Sequence, residues 1–277
     1  MSLKNQSSRL TTQQKENLGA VGIFGVEAKV HDSLTGKVQY QALLALKKEY
    51  PTLTFRFRKS VTKAEINKAL QEVDEALGQT LFLEDSSIKP DGGLVEVLDD
   101  HGHWRIVLVS EAKHQGKDIE NIQKGIKVGV KNDQDLMAAG NAIERSHKNI
   151  SEIANLMLKE AHFPYILFLE GSNFLTQDVI VTRPNGEKIT LKYNDGTLNR
   201  LDRLTAANYG MPINTNLCEN KFVKSNNRVI MLQAASIYTQ GDGAHWDADR
   251  MLNIMIDVAK TSIKTIATDL FNQLTKH

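Results

Sequence analysis

Cysteine is nearly absent from this 277-residue chain: Cys218 stands alone, so no disulfide can form within it, which agrees with a reducing compartment. Long hydrophobic runs are missing as well. Nothing approaches the roughly 20 apolar residues that span a bilayer, and the opening Met1-Ser2-Leu3-Lys4-Asn5-Gln6 lacks the apolar core of a signal peptide. A cytoplasmic protein with no membrane partner is expected. Charge of one sign is equally scarce, with a formal net charge of only +1, so any surface for nucleic acid must come from local asymmetry. Linkers rich in Pro, Gly or Ser and internal repeats are also lacking, and nothing divides the chain into two domains.

What is present is ordinary for a globular protein, 41% hydrophobic and 24% charged. Residues 1–16 are set apart as a flexible basic N-terminal arm: the first 15 hold Lys4, Arg9 and Lys15, no acidic residue and little that could build a core. A frayed terminus reads the same. Residues 17–277 then form a single domain in which strands and helices alternate. Val38–Tyr50 is helix-like and stops before Pro51, and Leu53–Arg58 alternates as a half-exposed strand. Thr62 and Glu65 make a capping box for a helix expected to run to Gly78. Pro164–Glu170 and Val229–Tyr238 read as buried strands, Val179–Tyr193 as a hairpin around Asn185-Gly186, and Asp247 as the cap of a C-terminal helix. Strand, helix, strand order implies a parallel crossover. The fold class is α/β, one domain with a mixed central β-sheet flanked by helices.

The chemistry lies between Ser87 and Lys117. Val95 and Val97, then Ile106, Leu108 and Val109, form two strands broken by Asp99-Asp100-His101-Gly102-His103. In a hairpin centred on His101 with no bulge, Asp91 falls opposite Glu111. Lys113, two residues on, shares the face of Glu111, while Ala112 points away. Two adjacent carboxylates repel unless a cation lies between them, and oxygen-only ligation suits Mg²⁺. Phosphate chemistry follows. Pro90-Asp91 with Glu111-Ala112-Lys113 looks like the PD…(D/E)xK signature of restriction-endonuclease-like nucleases. The motif is short, and on its own a solvated hairpin end with an incidental Glu-Lys pair explains it as well. His101, His103 and His114 are read as turn and strand-end residues rather than a zinc site.

Longer blocks carry a closer resemblance: SSIKPDGG at Ser86–Gly93, EAKHQGKD at Glu111–Asp118, MAAGNAIER at Met137–Arg145, FLEGSNFLT at Phe168–Thr176, LDRLTAANYGMPIN at Leu201–Asn214 and LQAASIYTQGDG at Leu232–Gly243. With these the chain resembles the EcoRI-like type II restriction endonucleases over essentially its whole length. The resemblance implies a bacterial, homodimeric, Mg²⁺-dependent enzyme that hydrolyses both strands of double-stranded DNA at the palindrome GAATTC. A DNA methyltransferase would be its counterpart in a restriction-modification system. Asp91, Glu111 and Lys113 would be catalytic, with Asp91, Glu111 and the Ala112 backbone carbonyl holding the metal. It further implies that Met137, Ala138, Ala139, Gly140, Asn141 and Ala142 lie as extended backbone against the bases, with Glu144, Arg145, Arg200 and Arg203 contributing. Small side chains permit that approach, and an Asn amide can pair bidentately with adenine. On residue types alone the Met137–Glu144 block reads as helix, and Arg200 and Arg203 as a salt-bridged helix face. The chain departs from the family pattern at Val130-Lys131-Asn132, where a Lys-Arg pair is expected, and at Lys192, which replaces an acidic residue. A DNA-binding module that has lost its chemistry is the rival reading; the intact Asp, Glu and Lys argue against it.

Overall fold

A computed structural model of the chain describes residues 20–79, 86–126, 140–193, 212–219 and 221–266. Its centre is a five-stranded sheet, beside which β2 (Val61–Thr62) and β3 (Ser87–Ile88) pair in a short separate ladder. Strands β1 (Phe55–Arg58), β4 (Gly93–Leu98) and β5 (Trp104–His114) pair antiparallel, and β6 (Tyr165–Glu170) and β11 (Ser236–Thr239) continue the sheet in parallel with β5. The sheet is mixed, as expected, and the crossover from β5 to β6 carries the helices α3 (Asp118–Gln123) and α4 (Gly140–Leu156).

Helices cover both faces. On one side α1 (Ala20–Glu49) and α5 (Ala248–Ile266) bury Val38, Ala42, Leu46, Met251, Met255 and Val258 against Leu108, Ala112 and Phe168. On the other, α2 (Lys63–Gln71) and α4 bury Ile66, Ile150, Ile153 and Met157 against Val109, Tyr165 and Leu167. The local signals are those of the sequence. Thr62 Oγ1 accepts from Glu65 N at 3.2 Å while the Glu65 carboxylate accepts from Thr62 N at 2.8 Å, which closes the capping box. Asp247 Oδ1 accepts from Arg250 N at 2.9 Å and caps α5. The turn between β7 (Val179–Thr182) and β8 (Lys188–Leu191) runs through Asn185-Gly186. Among the described residues no helix is long and apolar enough to cross a membrane.

Several expectations need correction. Helix α2 ends at Gln71, short of Gly78, and Val73 and Leu77 are exposed, so their apolar spacing marks no helix. Val229–Tyr238 is two strands, not one. Its first part belongs to β10 (Arg228–Leu232), which pairs with β9 (Lys221–Ser225) in a separate hairpin, and only after Gln233-Ala234-Ala235 does β11 join the central sheet. The apolar run conceals that change of sheet because both halves are strand-forming. Helix α1 extends well before Val38, through Gly22 and Gly25. By their residue types Thr80–Leu83 reads as a short strand and Leu198–Asn208 as a helix; these and the basic arm of residues 1–16 lie outside the described residues.

Phe168 is fully buried, with its ring 5.1 Å from Trp246 and 5.9 Å from Tyr238, and it joins β6 to the α1/α5 layer. Phe168→Ala should cost about 3–5 kcal/mol in chemical denaturation; a loss within experimental error of zero would show that this layer is not part of the cooperative core.

Candidate active site

The hairpin of β4 and β5 carries a feature that sequence spacing does not reveal. Near the turn Val97 faces Arg105 and Glu96 faces Ile106, but Val95 faces Leu108 and Gly93 faces Ser110. Val107 is therefore the extra residue of a β-bulge. Ile106 packs toward α2 and α4, whereas Val107 and Leu108 both pack toward α1 and α5. This resets the alternation, so Val109, Glu111 and Lys113 face the α2/α4 side. The bulge also moves Asp91 from its expected place opposite Glu111 to the level of Ala112, whose N–H donates to Asp91 Oδ2 at 3.2 Å.

Asp91 is held in a turn whose glycines have steric reasons. A Cβ on Gly92 would lie 1.9 Å from Ser110 Oγ and 2.6 Å from Gln39 Oε1, and Gly93 adopts φ +78°. The strand end and α1 thus close directly around the aspartate.

Despite the shift in register, the three side chains meet. Lys113 Nζ lies 2.7 Å from Asp91 Oδ2, 2.7 Å from Glu111 Oε1 and 2.9 Å from the Ala112 carbonyl oxygen. The oxygens expected to hold a metal converge on one point, and the ammonium occupies it. Such a donor set, two carboxylates and a peptide carbonyl, fits a hard divalent cation.

Glu111 is completely buried, and its other oxygen, Oε2, accepts from Asn149 Nδ2 at 3.1 Å and from the Tyr165 hydroxyl. Burial works against the Lys113 ammonium, but attraction from Glu111 and Asp91 outweighs it and holds the pKa above the ordinary lysine value. Burial, reinforced by the Glu111 charge, pushes the Tyr165 hydroxyl well above its usual range, so it remains a proton donor.

Neither Asn149 nor Tyr165 stands out in the sequence as a site residue. The one available signal is the tyrosine hydroxyl in the otherwise apolar run YILFL, since a buried hydroxyl needs a partner. Among the expected DNA-reading residues, Arg145 is exposed on α4, one turn before Asn149. Gly140, Asn141, Ala142 and Glu144 lie in the first turns of α4, where their side chains fall outside the described set, so from Gly140 onward the backbone is helical rather than extended. Met137, Ala138, Ala139, Arg200 and Arg203 are outside the described residues.

Beyond Lys113, the ends of β5 and β6 are tied by a second polar cluster. Glu170 Oε1 lies 3.0 Å from Nδ1 of both His114 and His245, and Glu170 Oε2 accepts from Trp246 N at 2.8 Å. Its ligating atoms lie within 4.8 Å of one another, a spacing that a metal ion could also use. His101 and His103 are exposed in the hairpin turn and take no part.

A mixed sheet between two helical layers, with an Asp-Glu-Lys cluster delivered by its central hairpin, is the arrangement of the restriction-endonuclease-like nucleases. The profile of the family described as Restriction endonuclease EcoRI matches residues 17–273, and the chain belongs to that family. It is 64% identical over 275 residues to the type II restriction enzyme EcoRI of Escherichia coli, covering 99% of both chains. It is 48% identical over 267 residues to the type II restriction enzyme RsrI of Cereibacter sphaeroides, covering 96% of both. The chain is accordingly a type II restriction endonuclease, an enzyme class that acts on double-stranded DNA and generally uses a divalent metal ion.

The ion cluster gives a direct test of its own energetics. Lys113→Met leaves the buried Glu111 carboxylate without its cation and should destabilise the protein by on the order of 3 kcal/mol at neutral pH. Because the Lys113 pKa is raised on folding, this contribution is fully present below the ordinary lysine pKa and is lost as pH rises through the raised one. Wild type and variant should therefore converge in stability at strongly alkaline pH. A pH-independent gap would mean that packing of the lysine stem, not its charge, is what matters.

Proposed function

We propose that the enzyme is a homodimer that cleaves both strands of the palindrome GAATTC in a Mg²⁺-dependent hydrolysis, with Asp91, Glu111 and Lys113 as its catalytic set. The convergence of Asp91 Oδ2, Glu111 Oε1 and the Ala112 carbonyl on a single cation position is the observation that carries this reading. A divalent ion held there supplies Lewis-acid polarisation of the phosphoryl oxygen. Asp91, Glu111 and the Ala112 carbonyl would be its ligands. The Asn149 amide and Tyr165 hydroxyl keep Oε2 of Glu111 occupied, so that Oε1 is the oxygen directed into the site. With the ion bound, the Lys113 ammonium would be free to face the scissile phosphate, where it would position the attacking water or stabilise charge developing on the phosphoryl oxygens. One water adds across one P–O bond, leaving a phosphomonoester and a free hydroxyl.

A palindrome read by one set of side chains needs two copies related as the DNA halves are, which supports the dimer. Met137, Ala138, Ala139, Gly140, Asn141, Ala142, Glu144, Arg145, Arg200 and Arg203 are the DNA-reading set of this proposal, and residues 1–16 its basic arm. A methyltransferase protecting the same sequence in the host genome completes the restriction-modification system, without needing to touch this protein.

Glu111→Gln removes one negative charge from the cation position while keeping size and hydrogen-bonding capacity. Plasmid cleavage in Mg²⁺ should fall by orders of magnitude, while gel-shift affinity for a GAATTC duplex without metal should survive, or tighten as repulsion of the phosphate lessens. Retained cutting would falsify the metal site; loss of binding and cutting together would mean a misfolded hairpin.

Asn141→Ala should cost on the order of 1–3 kcal/mol of discrimination per half-site, with little change in affinity for non-cognate DNA. Equal losses on cognate and non-cognate duplexes would make Asn141 a helix residue rather than a base reader.

A further inference from the structure

Beside the catalytic turn lies a groove with a volume of about 830 Å³, walled by α1 on one side and by Phe57, Lys59 and the Lys89–Gly93 turn on the other. Helix α1 passes so close to that turn that a Cβ on Gly36 would lie 3.5 Å from the Asp91 carbonyl oxygen. Asp91 thus borders the groove through its main chain, while its carboxylate is held by Lys113. Lys37, Lys59 and Lys89 line the groove and are exposed, and among the described residues Asp91 is its only acidic lining residue.

The neighbouring cations are differently disposed. Arg56 and Arg58 are engaged by Glu96 and Glu65, and Lys260 by Glu49. Lys37, Lys59 and Lys89 make no ion pair among the described residues. Tyr40 is 52% exposed and is braced edge-on by Phe57, with ring centroids 6.4 Å apart. The exposed Tyr40 ring thus stands beside three ammonium groups that make no ion pair among the described residues.

We propose that this groove seats the sugar-phosphate backbone of the DNA flanking the cleaved site, with Lys37, Lys59 and Lys89 facing successive phosphates. The inference rests on the nuclease reading above and extends it. A backbone whose scissile phosphate lies at Asp91 and Lys113 must run on past the turn that carries Asp91, and that turn is one wall of the groove. Phosphates are the ligands that lysines hold as point charges, and tyrosine serves equally for phosphate and sugar contacts. The net charge of +1 requires the DNA surface to be built by local asymmetry, and an unpaired lysine trio beside the catalytic turn is such an asymmetry. These contacts carry no base information, so they set affinity and salt dependence rather than the choice of sequence.

The test compares the full-length wild type with a Lys37→Gln/Lys59→Gln variant on two GAATTC duplexes, one with long flanks and one trimmed close to the site, without metal and across a salt series. On the long duplex the variant should bind about tenfold more weakly, with the slope of log K against log salt reduced by roughly 0.9 for each phosphate that is no longer neutralised. On the trimmed duplex the two proteins should bind alike. A Lys37→Arg/Lys59→Arg variant should retain wild-type affinity on both, which excludes a folding defect. Equal losses on both duplexes, or no loss on either, overturn the proposal. So does a change in sedimentation without a change in DNA affinity, which would assign the groove to contact between copies. A wild type that cleaves GAATTC without dependence on flank length removes the groove alone. One that prefers long flanks but cuts no GAATTC removes the assigned reaction and leaves the groove standing.

Discussion

A carboxylate buried at the end of a central strand is the constraint on which this molecule turns. Glu111 is fully buried, and an uncompensated charge there would cost several kcal/mol. Its partners come from separate elements: Lys113 from β5 itself, Tyr165 from β6, Asn149 from α4. The lysine is in turn fixed by Asp91, from the turn that α1 closes. The charge is satisfied only when the β4–β5 and β5–β6 registers are both correct and both helical layers are docked. Stability and site geometry are thus one requirement here.

Register is where the sequence and the structure part company. Strand periodicity makes the hairpin legible, along with the shared face of Glu111 and Lys113, because their spacing of two holds whatever precedes them. It does not reveal which residue faces Asp91. That depends on Val107, and a valine before a leucine carries no sign that both will pack to the same side. Without the bulge the hydrophobic pattern near the turn would send Glu111 and Lys113 to the α1/α5 face, away from Asn149. The shared cation position is legible all the same, because a long lysine side chain absorbs an offset of one residue.

Other losses have similar physical causes. Capping boxes, helix caps and Asn-Gly turns are local chemistry, and Thr62, Asp247 and Asn185-Gly186 can be read directly. The division of Val229–Tyr238 between β10 and β11 is a tertiary choice between two pairing partners that the strand propensity of the segment does not distinguish. Asn149 carries no local mark, and Tyr165 only a hydroxyl within an apolar run, because their role exists only across helix and strand.

Charge balance finally connects recognition to chemistry. Asp91, Glu111 and Lys113 together carry a formal charge of −1, with the ammonium sitting among the oxygens that suit a divalent cation. At the metal site proposed above, a divalent ion entering alone would displace that ammonium from two carboxylates, leaving a local charge of +1 and a lysine without a counterion. A phosphodiester adds −1 and offers the displaced ammonium a new partner, so the site is neutral only when ion and DNA are both present. The same helix α4 that holds Glu111 through Asn149 presents Arg145 one turn earlier. With the DNA-reading role proposed for the start of that helix, a shift there would reach Glu111 through Asn149, with Ile150 and Ile153 packed beneath the helix in the α2/α4 core.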